Sequence, residues 1–265
     1  MLRKSIFTAV MVGILSMAQQ ANAHFQLIYT PEINIKKAGE VPLKLVFWHP
    51  MSNGHAMTMG EPIEFYSVFK GKKTDLKATL KPITFHGLSN EAAAYDASVP
   101  LKRNGDYSLV AVPAPYYEES EDIYIQQITK VVINKGDVPT DWSEPLGLKT
   151  EIVPLNKPYG ALVGSTFSGV VLKNGQPAPG VEIEIEHMIA EPDMNANKPQ
   201  NEKASEVPGG AIVALTDAQG KFSFGIPKAG YWGFAALGSG PDSEFKGKEL
   251  SQDAVLWIKA HTLED

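Results

Sequence analysis

The alternation of hydrophobic and polar residues predicts β-strands along most of the chain after residue 24. In Glu40–Trp48, the side chains of Leu43, Leu45 and Phe47 would share one side of a strand. Similar patterns predict strands at Phe25–Tyr29, Ile63–Phe69, Asp106–Pro113 and Tyr124–Asn134. Short stretches such as Ser89–Tyr95 are the only ones compatible with a helix. Many short strands separated by turns favour an all-β fold of the β-sandwich type.

The chain changes character near Pro154–Pro158, where a second set of strand patterns begins. This set comprises Gly169–Val181 with its Asn-Gly turn, Glu182–Glu186, Leu215–Phe224, Tyr231–Leu237 and Ala254–Ala260. In Glu182–Glu186 the alternation turns Ile183 and Ile185 inward, while Glu191–Gly210 is polar and predicts a long surface loop. The set resembles carboxypeptidase-regulatory-like and Cna-B-like modules. We therefore expect an Ig-like sandwich over 24–157 and a Cna-B-like sandwich over 158–265.

The first 23 residues have the features of a secretory signal peptide. Arg3 and Lys4 precede an apolar run, Ile6–Met17, and Ala21–Ala23 forms a small-x-small cleavage site. The apolar run is too short to span a bilayer as a permanent helix. We expect cleavage after Ala23, export of the mature chain, and a location in the bacterial periplasm.

Composition and charge narrow the classes of function. The chain has 265 residues, with 24 Lys+Arg against 30 Asp+Glu and no Cys. An acidic chain lacks the basic surface that nucleic-acid binding requires. The absence of Cys excludes disulfides, thiolate metal sites and a cysteine nucleophile. The sequence also lacks the G-x-S-x-G, H-E-x-x-H, P-loop and G-x-G-x-x-G motifs, so no enzymatic activity is expected.

Cleavage after Ala23 would make His24 the first residue of the mature chain. A free N-terminal histidine offers its α-amine and its Nδ1 atom to one metal ion. The two donors close a six-membered chelate ring without help from the fold. The alternative interpretation is that His24 is simply the residue left by the peptidase.

A loop at the end of a predicted strand concentrates residues that bind transition metals. His49 and His55 lie six residues apart, and Met51, Met57 and Met59 occur among them. Imidazole nitrogen suits nickel, cobalt, copper and zinc, whereas thioether sulfur favours copper(I). The sequence therefore predicts a site formed by His24, His49 and His55 that suits Ni(II), with Co(II) or Cu(II) as alternatives. The simpler interpretation is a surface loop with two histidines and three packing methionines.

The remaining histidines and one acidic run are weaker candidates. We expect His86 to be a loop residue near a strand end, His187 to pack at the edge of the core, and His261 to lie solvated in a polar tail. The run Glu118–Asp122 is more typical of a solvated surface than of a ligand cluster.

Several motifs together resemble one family of exported proteins. They are His24 after the cleavage site, His49–Met51, Gly54–Gly60, Lys70–Leu76, Pro113–Tyr117, Thr129–Val132 and Pro227–Ala236. Across the mature chain they resemble the proteins grouped as domain of unknown function DUF4198. The most similar subgroup is the periplasmic nickel-binding, NikK-like components of energy-coupling-factor nickel/cobalt uptake systems. The resemblance implies binding of Ni(II), or of Co(II), for delivery to an inner-membrane transporter, with His24 and His55 as ligands beside His49.

Two other classes of function are compatible with the sequence. A copper-binding periplasmic protein, either a chaperone or a histidine-brace oxidase, would use the N-terminal histidine and the methionines. A metal-free surface or adhesion module would agree with the Cna-B-like half.

Overall fold

A computed structural model describes residues 25–205, 207 and 209–263, so the predicted signal peptide and His24 lie outside the described residues. Within this range there is no α-helix, and Lys77–Thr79 form a short 3-10 helix. No helix in the described part of the chain has the length and apolar character needed to cross a membrane. The first strands are β1 Phe25–Tyr29, β2 Asn34–Ile35, β3 Gly39–Trp48, β4 Ala56–Met57, β5 Glu64–Phe69, β6 Lys72–Asp75, β7 Lys81–His86, β8 Glu91–Leu101, β9 Gly105–Val112, β10 Tyr116–Glu118 and β11 Ile123–Lys135. They are followed by β12 Thr150–Pro154, β13 Ala161–Leu162, β14 Thr166–Lys173, β15 Gln176–Pro177, β16 Glu182–His187, β17 Ile212–Leu215, β18 Lys221–Gly225, β19 Gly230–Ala236, β20 Glu244–Phe245 and β21 Lys248–His261. The all-β prediction is confirmed.

The described strands form three sheets. A central sheet has the order β17-β16-β19-β21-β11-β9-β5-β6, with β2, β10, β13 and β20 attached along its length. An N-terminal sheet has the order β1-β3-β8-β7, with β4 paired to β3. A C-terminal sheet joins β12, β14 and β15, with β18 paired to β14.

The N-terminal and C-terminal sheets cover opposite faces of the central sheet. Side chains alternate along β21: Val255 and Trp257 belong to the core shared with the N-terminal sheet. Leu256 and Ile258 belong to the core shared with the C-terminal sheet. This follows from the two-residue period of a strand, which turns successive side chains to opposite faces. The result is two sandwiches that share one continuous sheet.

The two halves of the chain meet where β11 and β21 run parallel. Their register extends from Tyr124 opposite Leu250 to Val131 opposite Trp257. The last strand of the chain therefore completes the sheet that the first half begins. The division into domains 24–157 and 158–265 stays a prediction about folding units, but the central sheet continues across it.

The expectation of a helix at Ser89–Tyr95 was wrong. This segment begins β8, which pairs with β3 on one side and β7 on the other. Ala92 and Ala94 are buried on alternate positions of that strand. Pairing on both sides outweighs the helix propensity of the Ala-rich sequence, because propensity is a weak preference beside tertiary contacts.

Candidate functional site

His49 and His55 lie close together in the loop between β3 and β4. Their ring centroids are 5.4 Å apart in an edge-to-face arrangement. His49 is buried, whereas His55 is exposed. The loop folds back because Gly54 N donates to His49 O at 3.3 Å and Trp48 Nε1 donates to Gly54 O at 3.0 Å. Glycine suits position 54, where a Cβ atom would stand only 3.2 Å from Ser52 Oγ.

The methionines of this region serve packing. Met57 and Met59 are buried members of the core between the N-terminal and central sheets. The Sδ atom of Met59 accepts a hydrogen bond from Gln26 Nε2 at 3.4 Å. Met51 is also buried, beneath the histidine loop. These environments agree with the expectation that methionine fills core space.

The segment after β16 packs against the histidine loop. Ile189 N donates to Pro50 O at 3.2 Å, and Ser205 N donates to Met51 O at 3.0 Å. Asn53, whose backbone is left-handed with φ of 50°, donates from Nδ2 to Asn201 O and Lys203 O. The prediction of an irregular loop over 191–210 holds for its described residues, apart from an isolated bridge between Pro192 and Pro199. This loop is nevertheless anchored to the N-terminal half.

Three buried carboxyl groups lie on strands of the central sheet near this loop. Burial is the main cause that raises the pKa of Glu184 to about 8, with further contributions from Glu182, Asp253 and Glu121. Burial, then the charge of Glu184, raises the pKa of Glu186 well above its usual range. Burial also raises the pKa of Asp253. The sequence analysis missed these groups, since the alternation in β16 suggested that its glutamates face solvent.

The raised pKa of Glu184 makes stability depend on pH. Its carboxyl group titrates near 4.5 when unfolded and near 8 when folded, so the folded state holds the proton more tightly. This contribution to the free energy of unfolding is complete below pH 4.5 and is lost as the pH rises to 8. We expect E184Q to gain a few kcal/mol over wild type between pH 4.5 and 8, measured by urea unfolding. A difference that does not change with pH would contradict the assignment.

The acidic run at Glu118–Asp122 is only partly a solvated surface. Glu118 is buried and accepts hydrogen bonds from Ser120 N at 3.1 Å and Ser120 Oγ at 2.5 Å. Asp122 is exposed and bonds with Tyr117 and Lys248. The run lies close enough to β16 for the charge of Glu121 to raise the pKa of Glu184.

The other histidines occupy separate places. His86 ends β7 and is exposed, with Nδ1 at 3.0 Å from Glu91 Oε1. His187 packs against Trp232 with ring centroids 4.6 Å apart, as predicted, and burial lowers its pKa. The prediction of a solvated tail at His261 was wrong. It ends β21 with Nε2 at 3.1 Å from Tyr159 O, because β13 pairs with this end of the strand.

The described residues contain a pair of potential ligands and not a complete set. Across 25–205, 207 and 209–263, no three His, Asp or Glu side chains are grouped so that they could hold a metal ion. The predicted third ligand, His24, lies outside the described residues. The first described residue, Phe25, pairs with Trp48, which immediately precedes His49.

Comparison with known families decides the classification. Residues 21–240 match the family described as "Domain of unknown function (DUF4198)". The chain belongs to the DUF4198 family. The match covers the histidine loop, the buried carboxyl groups of β16 and both halves of the DUF4198 chain except its last residues. No protein of curated function matches it.

Solved structures show only distant similarity to this DUF4198 protein. The D0-D1 domain of Intimin is 11% identical with a TM-score of 0.22, covering 87% of this chain and 96% of that one. Salmonella alpha-2-macroglobulin reacted with methylamine is 11% identical with a TM-score of 0.26, covering 89% and 15%. Clostridium thermocellum CbhA fibronectin(III)-like modules are 8% identical with a TM-score of 0.20, covering 91% and 100%. At these TM-scores the likeness carries no information about function.

Proposed function

We propose that this DUF4198 protein binds Ni(II), or Co(II), in the periplasm and delivers it to an inner-membrane transporter of the energy-coupling-factor type. The observation that supports it is the pair of imidazoles in the loop between β3 and β4. With metal–nitrogen bonds of about 2.0–2.1 Å, two imidazoles on one ion place their ring centroids roughly 4.5–6.4 Å apart. The 5.4 Å between His49 and His55 falls in this range.

His24 is the third ligand of the proposal. Its covalent bond to Phe25 keeps its Cα about 3.8 Å from that of Phe25. Phe25 pairs with Trp48, so the chain reaches the side of His49 at this point. The α-amine and Nδ1 of a mature N-terminal His24 would join the two loop imidazoles. Such a nitrogen set suits Ni(II) or Cu(II).

The methionine environments favour nickel over copper(I) as the cargo. Met57 and Met59 lie in the core, and Met59 Sδ accepts a hydrogen bond from Gln26. Thioethers engaged in this way support packing better than ligation. The role proposed is metal binding and transfer, without catalysis.

Calorimetric titration of Ni(II) into the protein beginning at His24 tests the proposal. We expect tight binding by wild type and a loss of at least about a hundredfold in H49A and H55A, more than the loss of a ligand's outer partner brings. H86A is the matched control, because His86 lies exposed on β7 and bonds with Glu91. Failure of wild type to bind Ni(II) would overturn the proposal. Tighter binding of Cu(II), with dependence on Met51, would replace nickel with copper.

A further inference from the structure

Glu186 connects the C-terminal half of the chain to the histidine loop. Its Oε2 atom accepts a hydrogen bond from Met51 N at 3.3 Å, between residues 135 positions apart in the sequence. Met51 lies two residues after His49. Glu186 projects from the face of β16 opposite Ile183 and Ile185, which belong to the core with the C-terminal sheet. It therefore approaches the loop from the face of the central sheet that carries the N-terminal sheet.

The neighbours of Glu186 form a rigid base. Across the sheet, Glu186 is paired with Gly233, and Gly233 is paired with Trp257. The indole lies over Gly233, where a Cβ atom would meet it at 2.7 Å. Phe25 packs edge-on against Trp257 at 5.5 Å. The carboxyl group thus lies on a packed surface that also holds the residue following His24.

Backbone contacts from the same half fix the rest of the loop. Ile189 N and Ser205 N donate to Pro50 O and Met51 O, and the Asn53 amide donates to two carbonyls in the 201–203 segment. Glu186 differs from these contacts because its side chain accepts the bond. It is a buried acid, and placing such a group in the interior costs free energy. A single substitution can remove this contact without altering the loop sequence.

We propose that Glu186 is a positioning residue for the metal site: through Met51 it holds the loop in the conformation that keeps His49 and His55 together. The inference rests on the proposed function and adds that the C-terminal half is part of the site. Outer partners that orient metal ligands typically contribute about tenfold to hundredfold in affinity.

Three variants test the role of Glu186 by Ni(II) titration. We expect E186A to bind Ni(II) about tenfold to hundredfold more weakly. E186Q keeps an acceptor oxygen for Met51 N and should restore affinity close to wild type. E184A is the matched control, because Glu184 is a buried acid on the same face of β16 and makes no hydrogen bond to the loop among the described residues. Rescue by E186Q separates positioning from a general loss of stability.

Hydrogen exchange without metal provides a second readout. The Met51 amide should exchange faster in E186A than in wild type, E186Q or E184A, whatever metal the protein binds. If wild type binds no Ni(II) but this pattern appears, the proposed function fails while the anchor holds. Wild-type affinity in E186A, or an equal loss in E184A, would overturn the positioning role. Unchanged Met51 exchange in E186A would overturn it as well.

Discussion

Adding one alanine before His24 should lower the Ni(II) affinity of the protein by about a hundredfold to ten-thousandfold. The extra residue converts the α-amine of His24 into a peptide nitrogen, while the imidazole and the loop histidines remain. In the mature protein the amine and Nδ1 belong to one residue, so binding of the first donor delivers the second to the ion. A free α-amine has a pKa of about 7.7–8.0, so displacing its proton near neutral pH costs little.

Calorimetry with the two proteins measures this effect directly. The matched control is an alanine replacing Gln26, which leaves the amine free but removes the hydrogen bond to Met59 Sδ. Loss of affinity only in the alanine-extended protein supports the amine chelate. Equal affinity in the extended and native proteins would remove the amine from the site and leave a site of internal histidines.

Replacing Trp257 with alanine should cost about 3–5 kcal/mol in the free energy of unfolding. The indole is buried, packs against Phe25 and donates from Nε1 to Gln26 O at 3.0 Å. It comes from the last strand but belongs to the core with the N-terminal sheet. Truncation therefore leaves a cavity where the two halves of the chain meet.

Urea unfolding followed by far-ultraviolet circular dichroism gives the measurement. W257F is the control, since it keeps a ring against Phe25 and loses only the indole N–H and part of the volume. We expect its cost to lie well below that of W257A. A loss in W257A no larger than that of a surface change, about 0.5 kcal/mol, would show that Trp257 does not join the halves.

Most strands could be predicted because their periodicity is local. The pattern in Glu40–Trp48 corresponds to β3, and the inward Ile183 and Ile185 of β16 lie in the core as expected. The exception at Ser89–Tyr95 shows the limit of such patterns. Its alanines suit a helix, and only the two flanking strands decide the outcome.

The site was predictable only where its residues are neighbours in sequence. His49 and His55 are six residues apart, and the intervening Gly54 indicated a loop that brings them together. The role of Glu186 could not be predicted, since the bond to Met51 joins residues 135 apart. The alternation in β16 suggested a solvated face for its glutamates. That inference fails when loops and a second sheet cover both faces of a strand.

The position of β21 also has a consequence for biosynthesis. β11 pairs with β21 across more than a hundred residues of intervening chain, as the Gln126–Gln252 bond over 126 positions illustrates. While the ribosome is still making that chain, the nascent β11 exposes an open edge, which favours aggregation. Pairings between such distant segments also form slowly. Trp257, which supports Phe25 and Gly233, is among the last residues made. A partial polypeptide therefore lacks the support for the histidine loop, and competence to hold the cargo arises only after translation has passed residue 257.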